Sequence, residues 1–124
     1  MFVLAHRDQA ECLPLAQQDA QFVQGFVADS YMDIQAARLM TIHCAEKMAA
    51  GGDPRVDISA IKVFVPAAMH RVVDRAIQVW GAAGVSADLP LAGFYQGART
   101  LRIADGPDEV HKMVIARREL RRFA

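Results

Sequence analysis

Three groups of side chains in this 124-residue chain are of types that do chemistry. His43 and Cys44 place an imidazole next to a thiol, the pairing a nucleophilic catalyst uses. Adjacent helical positions point about 100° apart, so the two do not face one another. A buried thiol beside a satisfied imidazole is the plainer reading. Arg117, Arg118, Arg121 and Arg122 form a second group, able to contact phosphates. No aromatic residues interleave with them, so charge compensation at a helix C-terminus fits them better. The third candidate is Asp105, which precedes Gly106-Pro107-Asp108-Glu109. A carboxylate at a helix start meets the positive end of the dipole, which favours its charged form. Taken alone, Asp105 reads first as a turn or cap residue. His70 and His111 have no second ligand at metal-binding spacing, and Met40, Met48, Met69 and Met113 read as core filler.

The composition narrows what partners these groups can have. Fourteen Lys and Arg balance fourteen Asp and Glu, so no global field attracts nucleic acid or anionic membranes. A hydrophobic share of 53% against 23% charged argues for a packed core and against disorder. Two cysteines cannot make a disulfide framework, and no Cys/His spacing matches a zinc site. The apolar start of the chain is too short for a signal peptide. No apolar run reaches the roughly eighteen residues a membrane span needs. A soluble cytoplasmic protein without metal or membrane insertion is expected.

The elements that position the candidates are helices. Phe22, Val23, Phe26, Val27, Ile34, Leu39, Ile42 and Met48 recur at helical spacing within a segment from about 15 to 49. Gly51-Gly52-Asp53-Pro54 stops it with a sharp reversal. A second helix is expected from about Ile58 to Trp80, with Asp57 as its N-cap. A loop from Gly81 to Leu89 leads to a short helix carrying Leu91, Phe94, Ala98 and Leu101, with Asp88 as cap and Pro90 in its first turn. Gly93 and Gly97 weaken that helix by roughly 1 kcal/mol each, so it needs tertiary support. Pro107 opens the last helix, whose buried side is expected to be Val110, Met113, Val114 and Leu120. The expected fold is all-α, an antiparallel four-helix bundle of three substantial helices and one short one.

Several of these segments, in order, carry a resemblance. They are Ala28-Asp-Ser30, Ile34-Gln-Ala-Ala-Arg38, Val72-Val-Asp-Arg-Ala-Ile-Gln-Val-Trp-Gly81, Gly84, Leu89-Pro-Leu91, Ala104-Asp-Gly-Pro-Asp-Glu-Val-His111 and Met113-Val-Ile-Ala-Arg-Arg118. Together the chain from about Gln21 to Leu120 resembles the C-terminal helical domain of the acyl-CoA dehydrogenases. The Ala-Asp-Gly-Pro form resembles a branch related to mammalian members fused to kinase-like domains. Residues 1–18 look unlike the family, with Ala10 and Leu13-Pro14 where it has Arg and Phe-Gly, so the domain is set at 19–124.

The resemblance implies a flavoenzyme whose helical N-terminal and small β domains are not among these residues. It implies FAD as cofactor, an acyl-CoA as substrate and a homo-oligomer. A carboxylate at the last helix removes the substrate's α proton while the β hydrogen leaves as hydride to the flavin. Asp105 matches that base, standing where many members have Glu. Gln78 and Gln21 match cofactor-contacting glutamines, in a domain that reaches a neighbouring subunit's flavin. Gly81 matches the first of two loop glycines, and Ala82 replaces the second. Pro107 replaces a Thr on the flavin side. The competing expectation is a stand-alone helical bundle acting as a non-catalytic oligomerisation module.

Overall fold

The computed structural model describes residues 21–124, and all regular structure among them is helical. Helix α1 spans Gln21–Ala49, α2 Arg55–Trp80, α3 Ala82–Val85, α4 Leu91–Leu101 and α5 Asp108–Leu120. The single turn α3 lies in the stretch expected to be a loop. The expected start of the first helix, before Gln21, and the divergent segment 1–18 lie outside the described residues.

Helix α2 is the hub: α1, α3, α4 and α5 each pack against it. The loop between α1 and α2 is short, so the two run antiparallel. Asp33 meets Arg71 at 2.6 Å, and Lys47 meets Asp57 at 2.6 Å, which fixes the register. Helix α4 lies along the middle and C-terminal half of α2, where the Tyr95 ring sits 4.0 Å from that of His70. The Lys62 ammonium donates to the Leu101 carbonyl at 2.7 Å and pins the end of α4. These contacts supply the support that the two glycines of α4 require. Helix α5 continues past the N-terminal turns of α2, with Arg118 2.8 Å from Asp53. Helices α4 and α5 therefore follow one another down α2, both antiparallel to it.

Caps differ from the sequence expectation for identifiable reasons. Helix α2 starts at Arg55, with Pro54 in the cap position, because the proline ring already restricts φ. Asp53 accepts the Arg55 backbone N–H at 3.2 Å, which serves the helix start from one residue further out. Asp57 is therefore not a cap; its carboxylate faces Lys47 across the reversal. Asp88 bonds Ser86 within the loop, and Pro90 is the cap of α4. Pro107 likewise takes the extended cap position, and α5 begins one residue later at Asp108.

The core is small. Val23, Cys44, Ala68, Val73, Leu91 and Ala98 are its buried apolar members among the described residues. Val110, Met113 and Leu120 are exposed, against expectation, because α5 has only α2 to cover it. Met48, at 54% exposed, is not core filler, and Met69, at 36%, is only partly covered. Cys44 is buried while His43 points out, as their angular separation requires. Phe22, Tyr31, Met32 and Leu39 are each at least 60% exposed, leaving much of α1 without a partner. No described helix is long and apolar enough to cross a membrane.

Candidate functional site

The turn between α4 and α5 is closed at its mouth and exposed at its tip. At the mouth, Arg102 Nε donates to Asp108 Oδ2 at 2.8 Å, and the Asp108 backbone N–H donates to the Arg102 carbonyl at 3.2 Å. Asp108 is buried, so the acid that meets the start of α5 is already neutralised by an arginine. At the tip sits Asp105, exposed, with no side-chain hydrogen bond or ion pair to the described residues.

The backbone at Asp105 has φ +55°, the one described non-glycine residue in the left-handed region. Such a conformation costs about 1 kcal/mol and persists only where the surroundings impose it. Gly106 follows at φ +104°, which a side chain rarely permits. His111, on the first turns of α5, reaches back beneath the tip: its Nε2 lies 3.4 Å from the Asp105 carbonyl oxygen. Pro107 stands exposed beside Asp105 and has no N–H to offer.

An apolar cleft of about 360 Å³ opens between α1, α2 and the end of α4. Thr41, Ile58, Ile61, Lys62, Val65, Pro66 and Leu101 line it, and Leu101 is one residue from the Asp105 turn. Asp105 itself is not among the residues that line it.

The other four candidates lie elsewhere. Gln78 is exposed in the last turn of α2, and Gly81 ends that helix at φ 56°, ψ −131°. A glycine suits this position because it lacks the Cβ that crowds positive φ. Ala82, exposed, is the first residue of α3. Gln21 begins α1, also exposed. Arg75 pairs with Asp29 and Asp33, and continuing that antiparallel register brings Gln21 level with the Gly81–Ala82 stretch. Gln21, Gln78, Gly81 and Ala82 therefore share one end of the molecule. Asp105 and Pro107 lie towards the other, in the turn between Leu101, which meets Lys62, and His111, which meets Ser59. Twenty residues of helix separate these levels, about 30 Å at 1.5 Å per residue. Among the described residues no cluster of His, Cys, Asp and Glu could hold a metal ion.

Two residues of the turn's scaffold, Asp108 and Ser59, carry no motif of their own in the sequence. The signal available for Asp108 was Arg102, six positions earlier, at the spacing of a closed loop.

The comparisons agree with this architecture. The model for "Acyl-CoA dehydrogenase, C-terminal domain" matches residues 2–120. Mouse acyl-CoA dehydrogenase family member 10 is 44% identical over 110 residues, covering 87% of this chain and 10% of that protein. The crystal structure of an acyl-CoA dehydrogenase from Slackia heliotrinireducens superposes with a TM-score of 0.84 at 25% identity, covering 94% of this chain and 32% of the other. The FAD complex of PigA superposes with a TM-score of 0.75 at 26% identity, covering 79% of this chain and 26% of the other. The chain thus spans only a minor part of the length of these relatives. It belongs to the acyl-CoA dehydrogenase family, as a C-terminal helical domain.

Proposed function

We propose that this chain supplies the proton-abstracting acid and part of the cofactor cradle of an FAD-dependent acyl-CoA dehydrogenase, working with further domains. The observation that carries the reading is the state of Asp105. It is exposed and free of ionic partners among the described residues, on a backbone fixed in a strained conformation. Its neighbour Asp108 takes the arginine instead.

In this reading Asp105 removes the α proton of an acyl-CoA thioester. That proton is weakly acidic, so the base needs a fixed position and a site from which water is displaced. The rigid turn provides the first. An acyl chain along the apolar cleft beside Leu101, together with the further domains, provides the second. Bound FAD supplies the hydride acceptor for the substrate's β hydrogen. Asp for Glu shortens the arm by one methylene, so the loop must bring the backbone correspondingly closer.

The residues present fit FAD in two places. Pro107 and Asp105 face one flavin site. Gln21, Gln78, Gly81 and Ala82 offer two side-chain amides and a bare glycine backbone about 30 Å away along α2. We assign the second group to the flavin of a neighbouring subunit in a homo-oligomer, with an acyl-CoA as the substrate. The structure of PigA with FAD supports the cofactor assignment.

The test is spectroscopic. The chain joined to its helical and β domains should be yellow and should bleach when an acyl-CoA is added anaerobically. A colourless assembly that does not bind added FAD would favour the second reading, a non-catalytic oligomerisation module, which the exposed apolar residues of α1 also fit.

A further inference from the structure

We propose that His111 is the positioning residue for Asp105, acting through a relay from Ser59 of α2 that holds the acid's loop in its strained form; its functional meaning rests on the role assigned to Asp105 above.

The two ring nitrogens of His111 face two different oxygens. Nε2 lies 3.4 Å from the Asp105 carbonyl oxygen, and Nδ1 lies 3.4 Å from Ser59 Oγ. A carbonyl can only accept, so Nε2 must carry the hydrogen. In the neutral ring Nδ1 then keeps a lone pair, and the Ser59 hydroxyl donates to it. Ser59 is buried in the first turns of α2, where few waters compete for its hydroxyl. The ring is thereby tied to the helix against which all the others pack, and in turn ties the backbone of Asp105.

Gly106 makes this contact possible. A Cβ at that position would stand 3.1 Å from His111 Nε2, so the missing side chain is the space the imidazole occupies. Asp108 and Arg102 hold the mouth of the turn, and His111 holds its tip. Of the two ties, only that of His111 bonds Asp105 itself. His111 acts through the peptide of Asp105.

The test uses the full 124-residue chain, labelled for NMR, with no flavin. Two quantities are read: the amide-to-Hα distance of Asp105, which is short at positive φ, and hydrogen exchange of the Asp108 amide. His111→Ala should move Asp105 out of positive φ and speed Asp108 exchange about tenfold, with α1 and α2 amides unchanged. Glutamine carries a donor and an acceptor at nearly the spacing of the ring nitrogens. His111→Gln should therefore restore both readouts to within about threefold of the parent. Unchanged readouts in His111→Ala would overturn the proposal. So would a His111→Gln variant as loose as His111→Ala, since packing of the ring rather than its hydrogen bonds would then be at work. If His111→Ala does not fold, Ser59→Ala decides: exchange faster by about threefold supports the relay, and no change refutes it. Because these readouts need no flavin, they stand apart from any result on FAD binding or dehydrogenation.

Discussion

Asp108 and Arg102 form a partly buried ion pair at 2.8 Å, three residues from an acid that has no such partner among the described residues. The two acids of one turn thus divide the work: Asp108 builds the turn, and Asp105 is presented by it.

This division predicts opposite costs. Asp108→Ala leaves Arg102 unpaired and opens the mouth of the loop; it should destabilise the chain by about 2 kcal/mol in urea unfolding. Asp105→Asn, at an exposed site without partners, should change stability by less than about 0.5 kcal/mol. Equal effects would mean that Asp105 is structural.

The pair between α1 and α2 makes a prediction about pH. Hydrogen bonds from Arg71, with Arg75 adding to them, hold the Asp33 carboxyl below its ordinary value of 3.8 against the opposing effect of burial. The folded chain then binds fewer protons at Asp33 than the unfolded chain. The resulting stability is complete above the unfolded value and drains away as pH falls through the folded one. Asp33→Asn should cost about 2 kcal/mol at pH 7. The gap between parent and variant should narrow as pH falls below about 4 in chemical denaturation series.

Much of this arrangement was legible in the residues. The helical spacing of Leu91, Phe94, Ala98 and Leu101 gave α4, and the Gly51-Gly52-Asp53-Pro54 run gave the reversal before α2. The buried side of α5 was not legible. Val110, Met113 and Leu120 have the pattern of a core face, but only one helix packs there, and periodicity reports apolarity rather than cover. The cap at Asp57 failed because Pro54 starts the helix earlier and Lys47, distant in sequence, claims the carboxylate. At the site, Asp105, Gln78 and Gln21 could be named from motif order. That they lie at two levels along α2 could not, since the register between α1 and α2 is set by ion pairs such as Asp33 with Arg71.

That separation yields a complementation test. If Asp105 of one subunit and Gln78 of another complete each flavin site, neither Asp105→Asn nor Gln78→Ala oligomers should dehydrogenate an acyl-CoA efficiently. Subunits of the two variants mixed by unfolding and refolding should recover activity, because some sites then inherit both native residues. No recovery on verified mixing would place both residues in a single subunit's site.

The exposed apolar residues predict association. Phe22, Tyr31, Met32 and Leu39 on α1, and Leu120 and Phe123 at the end of the chain, are each at least 60% exposed. Light scattering should find dimers or larger assemblies. Placing charge at Tyr31 and Leu39 should shift the population toward monomer with helicity retained.

The most direct measurement concerns the proton itself. In the complete flavoenzyme containing this chain, incubation of a bound acyl-CoA in D2O reads exchange of the α hydrogen, independently of hydride transfer. Asp105→Asn should slow that exchange by about a hundredfold or more while flavin binding is retained. Exchange at the parent rate in Asp105→Asn, with flavin and substrate bound, would contradict the assignment of Asp105 as the base.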